Sequence, residues 1–128
     1  MPRETKPKHP TARQQLGARG ERLAAEALAR AGYRVIQPDA RLPSGQIDIV
    51  AEEGGDLVFV EVKTRRSTEY GLPAEAVNAP KQRHLVAAAL EYLEAHGQLD
   101  RTWRIDVVSI LLTHGPPQIE IIRHAVGG

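Results

Sequence analysis

The chain has 128 residues, 41% hydrophobic and 26% charged, with a formal net charge of +1 and no cysteine. That length fits one domain able to bury a core of its own, and the composition is that of an ordinary soluble globular protein. The missing cysteines exclude disulfides, thiolate zinc sites and thiol nucleophiles.

Charge is unevenly spread. Residues 1–22 hold six Lys/Arg against two acids, and residues 23–128 hold eleven against fourteen. The start "MPRETKPKHPTARQQ" is basic but leads into no apolar stretch, and nowhere do eighteen apolar residues run together, so neither a targeting nor a spanning segment is expected. A cytoplasmic protein without a membrane partner is the expectation. Residues 1–12, with three prolines and no periodicity, read as a flexible basic arm. Such an arm lowers the free energy of docking to a polyanion, or is simply a solvated tail. Residues 13–128 form the domain.

From Arg13 to Ala31 the apolar positions Leu16, Leu23, Ala24, Ala27, Leu28 and Ala31 recur at helical spacing, and Gly32 stands where a C-terminal cap is expected. "YRVIQ" gives a short strand ending at Pro38, and "RLPSG" is turn chemistry. The stretch "GQIDIVAEEGGDLVFVEVK" at 45–63 is two apolar runs about a glycine pair, a hairpin signature. After it, "TEYGLPAEAVNAP" reads as a loop. Asn78 caps a second amphipathic helix with Pro80 in its first turn, running to Gly97. "WRIDVVSILL" is a strand apolar on nearly both faces, and "PPQIEIIRH" is a last, alternating strand. The order helix, three strands, helix, two strands implies an α/β fold, one mixed sheet of about five strands packed against two helices.

A two-residue turn at Gly54–Gly55 pairs Glu53 with Asp56, and counting back sets Val50 against Phe59, Asp48 against Glu61 and Gln46 against Lys63 on one face. Ile47, Ile49 and Ala51 then meet Val62, Val60 and Val58 on the other. Like charges directly opposite destabilise a sheet by a few tenths to about 1 kcal/mol. Lys63 offsets part of that repulsion, and a divalent cation between the two carboxylates would convert it into ligation, with Mg²⁺ suited to hard oxygen donors. A solvated polar end of the sheet, with a plain Lys63–acid pair, is the competing reading. The apolar stripe of the first helix centres near Gly20, which puts Glu21 at the border of the buried face, within reach of the strand acids or of water.

The segments "GARGERLAAEALARAGYRVI", "GQIDIVAEEGGDLVFVEVKTRRS", "PKQRHLVAAALEYL" and "WRIDVVSI" resemble the bacterial YraN-like family, related to the Holliday junction resolvases of the PD-(D/E)xK nuclease superfamily. The resemblance covers roughly residues 13–112. It implies a restriction-endonuclease-like core of order αβββαββ with Asp48, Glu61, Lys63 and Glu21 as catalytic residues. It further implies Mg²⁺ or Mn²⁺ held by Asp48 and Glu61, and hydrolysis of a phosphodiester in duplex or branched DNA. Lys63 would orient the attacking water or neutralise developing charge, and Glu21 would act through a water or as an added ligand. Arg65, Arg66, Lys81, Arg13 and Arg19 are placed for flanking phosphates. Gln82, polar on an apolar helix face, and Gln46 are accessory candidates. Two departures stand out: Ile47 replaces the superfamily's proline before the Asp, and Gln46 replaces the family's usual Glu. Resolvases also suggest a homodimer by analogy. Asp106 is expected to satisfy Arg104 or a backbone amide. The scattered histidines and the missing G-x-S-x-G argue against zinc and serine chemistry, and 4% aromatics against a base-stacking platform. A non-catalytic DNA-binding or adaptor module that keeps the fold, and a structural protein with no nucleic-acid partner, are the alternatives.

Overall fold

The computed structural model describes residues 10–66 and 78–126. Most of the N-terminal arm and the loop read at 68–77 lie outside them. The elements are α1 (Ala12–Arg30), β1 (Arg34–Leu42), β2 (Gly45–Glu53), β3 (Asp56–Arg65), α2 (Ala79–Ala95), β4 (Trp103–Leu111) and β5 (Gln118–Ile122). This is the expected order αβββαββ, in one five-stranded mixed sheet compatible with a restriction-endonuclease-like fold. Spatial order follows chain order. Only β3 and β4 run parallel, and α2 is the crossover that a parallel pair requires. No helix among the described residues is long and apolar enough to cross a membrane.

Local chemistry sets the boundaries. Thr11 and Gln14 form a reciprocal capping box at the start of α1, and Gly32, at φ 95°, ends it. Asn78 accepts from the Lys81 amide at 3.0 Å and starts α2. Gly54 and Gly55 both have positive φ, as a tight hairpin turn requires. β1 runs past Pro38 to Leu42 rather than stopping there. It is an edge strand, the setting in which a missing N–H is tolerated.

The helices cover opposite faces. Under α2 lies a cluster of Leu85, Ala89 and Leu93 on Val50, Phe59, Ile105 and Val107. There the Phe59 ring meets Tyr92 and Trp103 edge-on at 5.5 and 5.9 Å. Under α1, Ala24 and Leu28 rest on Ile49, Val58, Val60, Val108 and Ile110. Ile47 belongs to the α2 cluster with Val50, so it is not on the face of Ile49 and Ala51 where strict alternation put it. Two side chains of one face thus lie three positions apart instead of two, which means that the pleat is interrupted at Asp48–Ile49. Asp39, between the partners of Ile47 and Ile49 on β1, has φ 50°, and marks the same irregularity.

α1 approaches closest at Gly20. A Cβ built there would sit 1.8 Å from Thr64 Oγ1 on β3, so the helix height depends on a missing side chain. Gly20→Ala is expected to cost at least about 1–3 kcal/mol by overpacking, measured by urea denaturation. Gly20→Ala with Thr64→Gly should lose less than the sum of the two single changes. Strictly additive losses would show that this contact does not set the helix height.

Candidate active site

β2 enters and β3 leaves the sheet at one end, beside the N-terminal half of α1 and the first turn of α2. The hairpin register holds as read from Glu53↔Asp56 through Ile49↔Val60. There the ladder stops. The directly opposed pairs Asp48/Glu61 and Gln46/Lys63 are not formed as ladder pairs, because the Asp48 side chain takes over: its Oδ2 accepts the Val62 amide at 2.8 Å. The strands part, and a recess of about 510 Å³ opens, lined by Glu21, Gln46, Asp48, Glu61, Lys63 and Thr64 together with Arg13 and Gly17 of α1. The four residues expected to be catalytic are thus brought together, though by strand divergence rather than by cross-strand facing.

Glu21 reaches the recess because Gly20 lets α1 settle on Thr64. Gln46 Nε2 donates to Asp48 Oδ1 at 3.5 Å. Glu61 is 5% exposed, and its Oε2 lies 3.5 Å from Lys81 Nζ. At that separation the ammonium supplies charge rather than a short hydrogen bond, and Oε2 is a buried oxygen with no hydrogen-bond donor.

These surroundings move the acids away from ionisation. Burial pushes the Glu61 carboxyl up to about 7, and the Asp48 charge adds to it, against the pull of Lys81 and Lys63. Burial also raises Asp48, opposed by its bond from the Val62 amide. Glu21 is raised by burial and then by the charges of Asp48 and Asp39. A site that holds acids above their ordinary range is short of positive charge. The orphaned Glu61 oxygen fits a divalent cation on the same grounds. Among the described residues no three His, Asp or Glu side chains form a ready metal cage, so two carboxylates would need water and substrate oxygens to complete an Mg²⁺ shell.

The basic candidates divide. Arg13 lines the acid recess, and Lys81 pairs with Glu61. Arg19 and Arg66 line a neighbouring recess. Arg65 lies opposite Leu111 at the end of β3, its carbonyl accepting from the Leu112 amide at 2.8 Å. Gln82 lines a groove along α2 beside Val86, Leu90 and Val126, apart from the acids. Lys81 as counter-ion to Glu61 and Asp39 as a neighbouring charge were not legible beforehand. The sequence-based expectation for Lys81 is a flanking phosphate, and no local pattern ties it to Glu61. Asp106 is fully buried and accepts from Tyr33 Oη at 2.7 Å, from Arg104 Nε at 3.0 Å and from the His124 amide at 3.0 Å. It therefore has the structural role expected of it.

Sheet and crossover make this an α/β protein compatible with the restriction-endonuclease-like fold. Residues 20–110 match the model of the uncharacterised protein family UPF0102, and the chain belongs to that YraN-like family. A UPF0102 protein of Dehalococcoides mccartyi is 47% identical over 115 residues, 90% of this chain and 95% of its own length. Those of Rhodococcus jostii and Geobacter sulfurreducens are each 50% identical over 111 residues, 86% of this chain, and 94% and 87% of their own lengths. The matched segment contains Glu21, Asp48, Glu61, Lys63 and Lys81.

Proposed function

We propose that the protein is a metal-dependent endonuclease that hydrolyses DNA phosphodiester bonds, with branched DNA the resolvase-like substrate. The observation that carries this reading is the buried Glu61 carboxylate, with one oxygen lacking a hydrogen-bond donor, beside Asp48 and Lys63 in one recess. Asp48 and Glu61 would hold Mg²⁺ or Mn²⁺. Such an ion supplies Lewis-acid polarisation of a phosphoryl oxygen and a more acidic water.

The chain's own residues do the rest. The Val62 amide fixes Asp48 in one orientation. Lys63, in the same recess, orients the attacking water or neutralises charge developing on the phosphate. Glu21, its carboxyl raised by burial and then by the charges of Asp48 and Asp39, holds a water or adds a ligand from the helix side. Arg13 holds substrate phosphate at the recess wall, and Lys81, which pairs with Glu61, would be available to join it with a metal held by Asp48 and Glu61.

Nicking of supercoiled plasmid and cleavage of a four-way junction in Mg²⁺ test the reading. Asp48→Ala and Lys63→Ala are each expected to reduce cleavage by about a hundredfold to a thousandfold. Cleavage of wild-type strength in both variants, or none by the wild type with Mg²⁺ or Mn²⁺, would remove the nuclease reading in favour of a non-catalytic module.

A further inference from the structure

Gly20 divides α1 in two functional directions. On one side of its seat on Thr64, Glu21 enters the acid recess. On the other, Arg19 lines a second recess of about 420 Å³, with Arg66 from the end of β3 and Leu112, Thr113 and His114 from the segment after β4. β3 and β4 are parallel from Leu57↔Trp103 to Arg65↔Leu111. Their chain ends therefore deliver Arg66 and His114 to the end of the sheet that also carries Lys63.

The charge of this second recess is unbalanced. Its wall holds two guanidinium groups, a hydroxyl and an imidazole, and no carboxylate. Several arginines elsewhere are committed to acids: Arg34 and Arg101 pair with Glu52, Arg41 with Asp39, Arg104 with Glu53, Asp56 and Asp106, and Arg123 with Glu53. Among the described residues no acid is paired with Arg19 or Arg66. A planar fork of N–H donors matches two oxygens of a phosphate, and hydroxyl and imidazole groups add donors in the same space.

We infer that the Arg19–Arg66–Thr113–His114 recess is an anchoring subsite for a backbone phosphodiester of the nucleic acid whose scissile phosphate enters the acid recess. The inference rests on the proposed nuclease reading and extends it. The strand would place one phosphate on each side of the Gly20–Thr64 contact, so the subsite fixes the direction in which the strand lies over the acids. Arg19, Arg66 and His114 then govern binding, while Asp48, Glu61 and Lys63 govern cleavage.

Fluorescence anisotropy on a labelled duplex and a four-way junction in EDTA, across a salt series, isolates binding from cleavage. Arg19→Ala/Arg66→Ala/His114→Ala is expected to bind at least tenfold more weakly. The slope of log K against log salt should shrink by about 1 for the phosphate lost. In Mg²⁺, KM should rise with kcat nearly unchanged. A charge control, Arg30→Ala/Arg83→Ala, should leave affinity and slope close to wild type, and circular dichroism melts should show all variants folded. Equal affinity and slope in wild type and triple variant, or an equal loss in the charge control, would overturn the subsite while leaving the nuclease reading intact. A wild type with no affinity even at low salt would overturn both. Inorganic phosphate should give no measurable heat by calorimetry; tight binding would assign the recess to a free phosphate instead of a strand.

Discussion

Glu61→Gln is expected to make the metal-free protein more stable at pH 8 while lowering metal-dependent cleavage at least a thousandfold. Glu61 is 5% exposed, and its carboxyl is pushed up to about 7 by burial and by Asp48. An acid with a raised folded pKa retains its proton in the folded state at pH values where the unfolded chain has lost it. Its contribution is therefore fully present below about 4.5, the ordinary value, and is lost as pH rises through about 7. Above that, the folded protein holds a poorly solvated anion. A carboxamide of the same shape carries no such cost, and Lys81, with its side chain 38% exposed, can turn to water.

The gain at pH 8 is on the order of 2 kcal/mol, or roughly 5–10 °C in Tm for a domain of this size. It should vanish near pH 4.5. Mg²⁺ or Mn²⁺ should stabilise the wild type at pH 8 by about 2.7 kcal/mol at a hundredfold excess over Kd, raising its Tm, and leave Glu61→Gln unmoved. Differential scanning fluorimetry at the two pH values checks this. A variant less stable than wild type at pH 8, with an intact metal response, would mean that Glu61 is neither strained nor a ligand.

Asp106→Ala acts on a separate network reaching toward the hairpin turn, and through stability alone, with an expected loss of about 3–5 kcal/mol by urea denaturation. Asp106 is 0% exposed. Its carboxylate takes the Tyr33 hydroxyl, the Arg104 guanidinium and the His124 amide. It thereby ties β4 to the start of β1 and to the end of β5. Removing it leaves the Arg104 side chain, 8% exposed, with the carboxylates of Glu53 and Asp56 and the Tyr33 hydroxyl, and leaves that hydroxyl without its acceptor. Domains of this kind are stable by about 5–15 kcal/mol, so the loss is a large fraction of the total. The folded remainder should cleave with unchanged specific activity, because the network shares no residue with the acid recess. A loss under about 1 kcal/mol would mean that Glu53 and Asp56 suffice for Arg104.

How far these effects could be read from residue order depends on which interactions are local. Gly54–Gly55 dictates a tight turn, and with it every pair from Glu53↔Asp56 to Ile49↔Val60. Helix periodicity located Gly20 and Glu21, and cap chemistry located Asn78. Strict alternation failed at Asp48, where a side chain captured the amide of Val62 and Ile47 moved to the α2 face. No turn residue announces such an interruption; only the isolated Pro38–Asp39 pair hints at it on the neighbouring strand. The Lys81–Glu61 pair joins positions twenty residues apart through a crossover whose geometry no periodicity specifies. The separation of Arg19 and Arg66 from Arg13 into two recesses likewise depends on the height of α1, set by one glycine.

The most direct measurement is the anomalous difference density of a crystal soaked in Mn²⁺ at pH 8, where both strand acids can ionise. One peak bound by carboxylate oxygens of Asp48 and Glu61, with the Lys81 ammonium moved away, is the expected result. A saturated soak that leaves those oxygens without a peak, or places manganese only on surface carboxylates elsewhere, would contradict a metal centre at these strand ends.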